Sequence, residues 1–141
     1  MDKNILNTLQ NKSGFIAFKA ASEKDIAKLL QTLNLSSFPK LPDDYCDFLQ
    51  QSDGFIFNDI ELYGCNIHKR QGYEFPNIEF IARLTSGNSF FHKNIIIGLI
   101  SEEIIIYNAE NAFYAIIDRV TLDYLAQYDS FAELLKFLTA Q

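Results

Sequence analysis

Three apolar segments between residues 94 and 118 constrain the fold of this chain most strongly. They are NIIIGLI (94–100), EIIIYN (103–108) and AFYAIID (112–118), separated by very short connectors. Isoleucine is prominent in them, and β-branched residues favour strands. Because short connectors join antiparallel strands, the three segments predict a β-meander. Both faces of these segments are apolar, so we expect central strands covered by helices.

Amphipathic segments supply the predicted helices. Leucine and isoleucine recur at helical spacing in 4–10 and 22–34, and Ser22 followed by acidic residues is typical of a helix start. Segments 78–84 and 129–140 have the same periodicity, and Asp129 or Ser130 is expected to cap the second of them.

The remaining segments complete a predicted α+β fold. FIF (55–57) and IELYG (60–64) are expected to form a hairpin, 65–77 an irregular loop and 121–128 a further strand. With 141 residues and 48% hydrophobic composition, the chain suits a single domain over 1–141. The predicted order is N-terminal helices, an antiparallel sheet covered by helices, and a C-terminal helix.

The stretch LPDDYCDFLQQSDG (41–54) predicts another helix. Pro42 suits the first helical position, acidic residues in the first turn stabilise the helix dipole, and Gly54 suits the helix end. Asp43, Asp44 and Asp47 are expected to lie off the apolar face. That face is predicted to consist of Leu41, Tyr45, Phe48 and Leu49.

The net charge of −6 is concentrated in one part of the chain. Residues 41–68 contain six acidic residues and no Lys or Arg, whereas the rest holds twelve acids and twelve bases. An acidic surface repels nucleic acids and attracts basic proteins, so we expect a basic protein partner and no direct nucleic-acid binding. The candidate partner-binding acids are Asp43, Asp44, Asp47, Asp59 and Glu61.

Aromatic residues are further candidates for partner contacts because they are enriched at binding hot spots. Tyr73 and Phe75 lie in the predicted loop, and Phe90 and Phe91 follow a turn. We expect at least one residue of each pair to pack in the core. The basic run His68-Lys69-Arg70 is too short for a nucleic-acid footprint and is expected to be a solvated loop.

Catalytic and metal-binding patterns are weak in this sequence. Cys65 and His68 have Cys-x-x-His spacing, but a zinc site needs two more ligands, and only Cys46, His92 and carboxylates remain. A pair formed by Cys65 and His92 is formally possible as a nucleophile and base. No phosphate loop, nucleophile elbow or zinc-protease motif occurs. We therefore expect no enzyme activity, no cofactor and no metal.

Cellular location follows from two absences. The N-terminus has no apolar run typical of a signal peptide, and the longest apolar stretches are far shorter than the roughly 20 residues of a membrane helix. Two cysteines suit free thiols in a reducing compartment. We expect a cytoplasmic protein without a membrane anchor; its oligomeric state is left open by the sequence.

The stretch 41–64 resembles the signature helix and following strands of the SUKH superfamily, and 94–138 resembles its C-terminal half. The YrhA-like branch is the most similar. Asp53 stands where the family more often has asparagine, and 1–40 matches only as a helical lead-in. The resemblance is carried by Leu41, Pro42, Tyr45, Phe48, Leu49, Gly54, Leu62, Tyr63 and Gly64.

The resemblance implies an immunity protein. Many bacterial members bind and neutralise a toxin encoded beside them, often a nuclease or another intracellular enzyme. Other relatives are regulators or scaffolds, so binding of a non-toxin host protein is the alternative. A third possibility, an enzyme or small-ligand binder, requires a deep polar pocket under the meander.

Overall fold

A computed structural model describes residues 3–140 and has the predicted α+β architecture. A 3₁₀ helix over Ser89–His92, which contains Phe90 and Phe91, follows the predicted turn and was not itself predicted. Ser22 caps the second helix in a full capping box with Asp25, and Ser130 caps the last helix. The helices are α1 (Lys3–Gln10), α2 (Glu23–Leu35), α3 (Asp43–Leu49), α4 (Ile78–Thr85) and α5 (Phe131–Thr139).

A seven-stranded antiparallel sheet forms the centre of the molecule, in the order β1-β2-β3-β6-β7-β8-β9. The predicted meander supplies its central strands, and a separate hairpin, β4–β5, lies outside it. The strands are β1 (Phe15–Ala17), β2 (Phe55–Phe57), β3 (Ile60–Leu62), β4 (His68–Arg70), β5 (Tyr73–Phe75), β6 (Asn94–Ile100), β7 (Glu103–Asn108), β8 (Phe113–Ile117) and β9 (Tyr124–Tyr128).

One face of the sheet is covered by α3 and α5, and we call it the α3 face. Phe55 on β2 pairs with Leu62 on β3, so both side chains point to this face. The ring of Phe48 on α3 contacts the ring of Phe55 edge-on, and Phe131 on α5 packs against Phe48. Because these rings are fully buried, their packing fixes both helices on the sheet.

The opposite face carries the alternate residues of the same strands, and we call it the Glu61 face. Cross-strand pairing joins Ile56, Glu61 and Leu99 in one row. The row continues to Ile104 on β7, which is buried. The sheet is therefore well covered at its centre, while the β2–β3–β6 side keeps partly exposed residues.

Two sequence predictions about local structure are wrong. Residues 65–77 contain the β4–β5 hairpin instead of an irregular loop. Gln71 and Gly72 both have positive φ, at 48° and 78°, which is the backbone of a tight two-residue hairpin turn. Only three residue pairs join these strands, too short a run for the alternation of apolar and polar residues to be recognised.

The signature helix is shorter than predicted. It begins at Asp43, with Pro42 as its extended N-cap residue rather than its first helical residue, and it ends at Leu49. Gly54 has φ +87°, yet it introduces β2 and does not close α3. A β-carbon on Gly54 would collide with the Leu62 carbonyl, so close strand approach explains this glycine.

Candidate functional site

The residues on which the sequence resemblance was based build the core rather than a surface site. Tyr45 donates a hydrogen bond from its hydroxyl to the Tyr63 carbonyl at 2.5 Å, which ties α3 to the end of β3. At Gly64 the Asp53 side chain occupies the place of a β-carbon. The buried members are Leu41, Tyr45, Phe48, Leu49, Gly54, Leu62, Tyr63 and Gly64, while Pro42 is half-buried.

Asp53 is a buried carboxylate at the centre of a hydrogen-bond network. It accepts from the backbone N–H of Cys65 at 2.6 Å and of Asn66 at 3.0 Å, and from the Asn66 side chain at 3.1 Å. His68 Nε2 lies 3.0 Å from the second carboxylate oxygen. The Asp53 side chain is 0% exposed, so these contacts replace the hydration that its carboxylate loses on burial.

His68 is part of this network, and the prediction of a solvated histidine is wrong. Its imidazole stacks on Phe18 with ring centroids 4.1 Å apart and is only 19% exposed. Because a carboxylate is acceptor-only when ionised, the imidazole donates to Asp53. The pair joins the β4–β5 hairpin to the strands of the main sheet.

Asp44, one of the candidate partner-binding acids, has a structural role in the fold. One oxygen accepts from the Tyr114 hydroxyl at 2.7 Å, and the other accepts from the backbone N–H of Phe131 at 2.8 Å. The carboxylate thus links α3 to β8 and to the N-terminus of α5. Burial, with the Asp44 carboxylate next in effect, raises the pKa of Tyr114 well above its usual range, so the phenol remains a donor.

The other predicted acidic residues do not form one surface. Asp43 and Asp47 are exposed on α3, which covers the α3 face. Asp59 lies in the β2–β3 turn and accepts a hydrogen bond from the Ser101 hydroxyl. Glu61 lies in the row on the opposite face. The acidity of residues 41–68 is therefore divided between the two sides of the sheet.

Glu61 differs from its neighbours because it is partly buried among apolar residues. It lies between Ile56 and Leu99 in the cross-strand row, and Ile16 extends the row on β1. We call Ile16, Ile56, Glu61 and Leu99 the Glu61 row. All four are half-buried, so the row presents apolar surface interrupted by one carboxylate.

No basic residue compensates this carboxylate within the described part of the chain. The ion pairs of residues 3–140 involve other acids, and the Glu61 carboxylate accepts no hydrogen bond there. Desolvation by burial raises the pKa of Glu61. The same carboxylate contributes to the raised pKa of Tyr63 and of Tyr73, after burial, so both phenols lie within its field.

Of the predicted aromatic pair on β5, only Tyr73 is at the surface. It is 50% exposed, whereas Phe75 is fully buried against Phe18 and Tyr63. The prediction that Phe75 contacts a partner is therefore wrong for this fold. Alternation places Tyr73 and Phe75 on the same face of β5, so their position along the strand explains the difference: Phe75 lies at the end that packs against Phe18 and Tyr63, whereas Tyr73 lies next to the turn at Gln71 and Gly72. The candidate site thus consists of the Glu61 row and Tyr73.

Phe90 and Phe91 are both half-buried and pack against the core. Their rings contact each other edge-on, and Phe90 also contacts Tyr124 on β9. They are therefore mainly packing residues.

The residues considered for catalysis are not arranged for it. Burial raises the pKa of the Cys65 thiol well above its usual range, and the Asp53 carboxylate adds to this shift, which opposes thiolate formation. His68 is directed at Asp53, and His92 contacts the Ser86 carbonyl. Within residues 3–140, no group of three or more His, Cys, Asp or Glu side chains is placed to hold a metal ion.

A cleft of about 440 Å³ lies between α2 and α4 rather than under the meander. Charged side chains of both signs line it, and two of them, Glu79 and Arg83, already form an ion pair with each other. This arrangement does not concentrate one charge or one hydrogen-bonding type, so it gives no reason to favour a particular small ligand.

Comparison with known proteins gives no identification: the chain matches no protein-family model and no curated protein sequence. Among the helices of residues 3–140, none combines the length and the hydrophobicity needed to cross a bilayer.

Proposed function

We propose that this chain is a cytoplasmic immunity protein of the SUKH type, which neutralises a cognate bacterial toxin by protein–protein contact. The observation that carries the proposal is Glu61, a partly buried carboxylate that has no cationic partner among residues 3–140 and lies in an apolar row beside an exposed tyrosine. A protein partner that offers a basic side chain between apolar groups would complement this surface.

The resemblance supplies the biological role. The signature residues are accounted for by packing: Tyr45 and Phe48 lie in the core, and Gly54 and Gly64 allow close approach. The family resemblance therefore concerns the scaffold, and the surface that recognises a toxin must come from residues outside the signature. Glu61 and Tyr73 are such residues.

Binding would neutralise the toxin by covering its active site or a nearby surface. The Glu61 row spans four strands, a width of about 15 Å at ordinary strand spacing. On contact, Glu61 would lose its remaining hydration and gain a charge-assisted hydrogen bond from Lys or Arg of the toxin. Tyr73 supplies an exposed aromatic ring, a residue type enriched at hot spots.

The exposed acids on α3 have a separate role in this proposal. Asp43 and Asp47 lie on the other side of the sheet from Glu61, so they would act through the long-range field and not through contact with the same groups. Long-range attraction of a basic toxin speeds encounter more than it strengthens the final complex.

Survival of cells that express the toxin domain encoded beside this gene tests the proposal. We expect rescue by the wild-type chain and co-purification of the two proteins. The variant Glu61→Lys should lose rescue because it places like charge against the basic toxin. Glu110→Lys is the matched control, since Glu110 is exposed in the β7–β8 turn and pairs only with exposed Lys93.

Failure of the folded wild-type chain to rescue, or the absence of a neighbouring toxin gene, would contradict the immunity role. It would favour a regulatory or scaffold domain that binds a host protein.

A further inference from the structure

The β4–β5 hairpin forms a separate two-stranded sheet that packs beside the Glu61 row. Phe75, at the base of the hairpin, contacts the rings of Phe18 and Tyr63, with centroids 5.0 and 5.3 Å away. Phe18 follows Ile16 by two positions, and Tyr63 follows Glu61 by two positions. Because side chains two positions apart in extended chain share a face, the hairpin lies on the Glu61 face of the sheet, next to the row.

Strand pairing shows which hairpin side chains turn towards this face. His68 pairs with Phe75, and Arg70 pairs with Tyr73, so these four side chains share the inner side of the hairpin. Tyr73 lies between Phe75 and the turn. Burial, followed by the Glu61 carboxylate, raises the pKa of Tyr73, so its phenol lies within reach of that charge. The place of Tyr73 beside Glu61 therefore depends on how the hairpin is docked.

His68 anchors the hairpin by two contacts. Only three residue pairs join the strands, and an isolated two-stranded hairpin is marginally stable in water. His68 Nε2 lies 3.0 Å from a carboxylate oxygen of Asp53, which is fully buried. The imidazole also stacks on Phe18, with centroids 4.1 Å apart and an angle of 4° between the planes. One side chain thus supplies both a polar and an aromatic contact to the main body of the protein.

From these contacts we infer that His68 is a positioning residue for the toxin contact: it holds the β4–β5 hairpin in the place where Tyr73 stands beside Glu61. The toxin contact rests on the proposed function, whereas docking of the hairpin by His68 does not. A preorganised contact residue loses less conformational freedom on binding. Release of the hairpin would therefore weaken binding although Tyr73 itself is still present.

Hydrogen exchange of the free protein tests the docking step. His68→Ala removes both contacts, and backbone amides of 68–75 should exchange at least about 10-fold faster than in the wild type, while amides of β6, β7 and β8 stay unchanged. His68→Gln keeps an N–H donor for Asp53 and should restore part of the protection. Lys69→Ala is the matched control, because the Lys69 side chain is 81% exposed and lies on the outer side of the same strand. It should exchange as the wild type does.

Isothermal titration with the toxin domain tests the positioning step. His68→Ala should bind about 10-fold more weakly than the wild type, and Lys69→Ala should bind as the wild type does. In a chain that already carries Tyr73→Ala, the same change at His68 should cost much less affinity, because its effect on binding acts through Tyr73. A purely structural role of His68 would lower stability without this coupling.

Several results would overturn the inference. Unchanged protection of 68–75 in His68→Ala would do so whether or not the toxin binds. So would a loosened hairpin with wild-type affinity, or an equal loss of affinity with and without Tyr73. A wild-type chain that does not bind the toxin contradicts the proposed function and the toxin contact together. Hydrogen exchange then still decides whether His68 docks the hairpin.

Discussion

Two carboxylates from the same acidic segment, those of Asp53 and Glu61, differ in their burial and in their hydrogen bonding. Asp53 is fully buried and accepts hydrogen bonds from Cys65, Asn66 and His68, whereas Glu61 is partly buried and has no internal donor among the described residues. Glu61 follows Asp53 by eight positions in the sequence. Burial of a carboxylate costs little free energy when fixed hydrogen-bond donors replace its water. Without such donors, the desolvation cost is not offset.

Internal hydrogen bonds distinguish acidic residues with a structural role from acidic residues that are candidates for partner binding. Asp53 and Asp44 each join elements that are distant in sequence, so the fold itself explains them. The Glu61 carboxylate forms no ion pair or hydrogen bond within residues 3–140, and its raised pKa reflects desolvation by burial. Net charge alone does not reveal this distinction, because all three residues contribute equally to it.

Removal of the Asp53 carboxylate should have the largest effect on stability. Asp53→Ala leaves the donors of Cys65, Asn66 and His68 without their buried acceptor and should lower the free energy of unfolding by about 3 kcal/mol. Urea denaturation measures this loss. Asp47→Ala is the control at an exposed site and should stay within about 0.5 kcal/mol of the wild type. Equal stability of the two variants would show that the network does not hold the fold.

Loss of Asp44 should have the next largest effect. Asp44→Ala removes the acceptor for the Phe131 N–H and for the Tyr114 hydroxyl, and we expect a loss of about 1–2 kcal/mol. A double-mutant cycle with Tyr114→Phe should show coupling, because the two residues share a hydrogen bond. Strictly additive effects would mean that this bond contributes nothing.

Patterns along the sequence predicted the regular elements, because these follow from local periodicity. The meander, the hairpin at Asp59 and the α-helices were all recognisable in that way. The β4–β5 hairpin escaped because three residue pairs are too short to establish a period, and its turn residues Gln71 and Gly72 lack the usual Asn-Gly signal.

Roles of individual acids could not be predicted, because they depend on contacts between distant parts of the chain. Asp44 meets Phe131, which is 87 residues away. Asp53 was recognisable only as an unusual residue at an expected asparagine position. Strand alternation places Glu61 on the face of the sheet that does not carry Phe55 and Leu62. Only the pairing register with β6 shows that apolar residues flank Glu61 on both sides.

The stability difference between a Glu61 variant and the wild type should depend on pH. Burial raises the pKa of Glu61 in the folded state above its ordinary value of 4.5, so the protonated form favours folding. Its contribution to stability is complete below pH 4.5 and is lost as pH rises through the higher folded pKa. Glu61→Gln should therefore be slightly more stable than the wild type at neutral pH, with a difference that shrinks towards pH 4.

Urea denaturation of both chains across this pH range measures the difference. A variant that is less stable than the wild type at neutral pH would show that the ionised carboxylate of Glu61 does support the fold.

Neutralising the exposed acids of α3 should have the smallest energetic effect. Asp43→Asn with Asp47→Asn should slow association with the toxin by about 2–5-fold and flatten its dependence on salt, with little change in dissociation. Asp44 is left intact so that the folded state is not perturbed. Stopped-flow kinetics at several salt concentrations measure the rates, and an unchanged association rate would remove these acids from the account.

We propose that Glu61 has no cationic partner among residues 3–140 because a protein partner supplies the cation. Isothermal titration of the toxin domain with purified variants tests it most directly. We expect Glu61→Lys to bind at least about 30-fold more weakly than the wild type and Glu110→Lys to bind as the wild type does. Equal affinity of the Glu61→Lys and Glu110→Lys chains would contradict it.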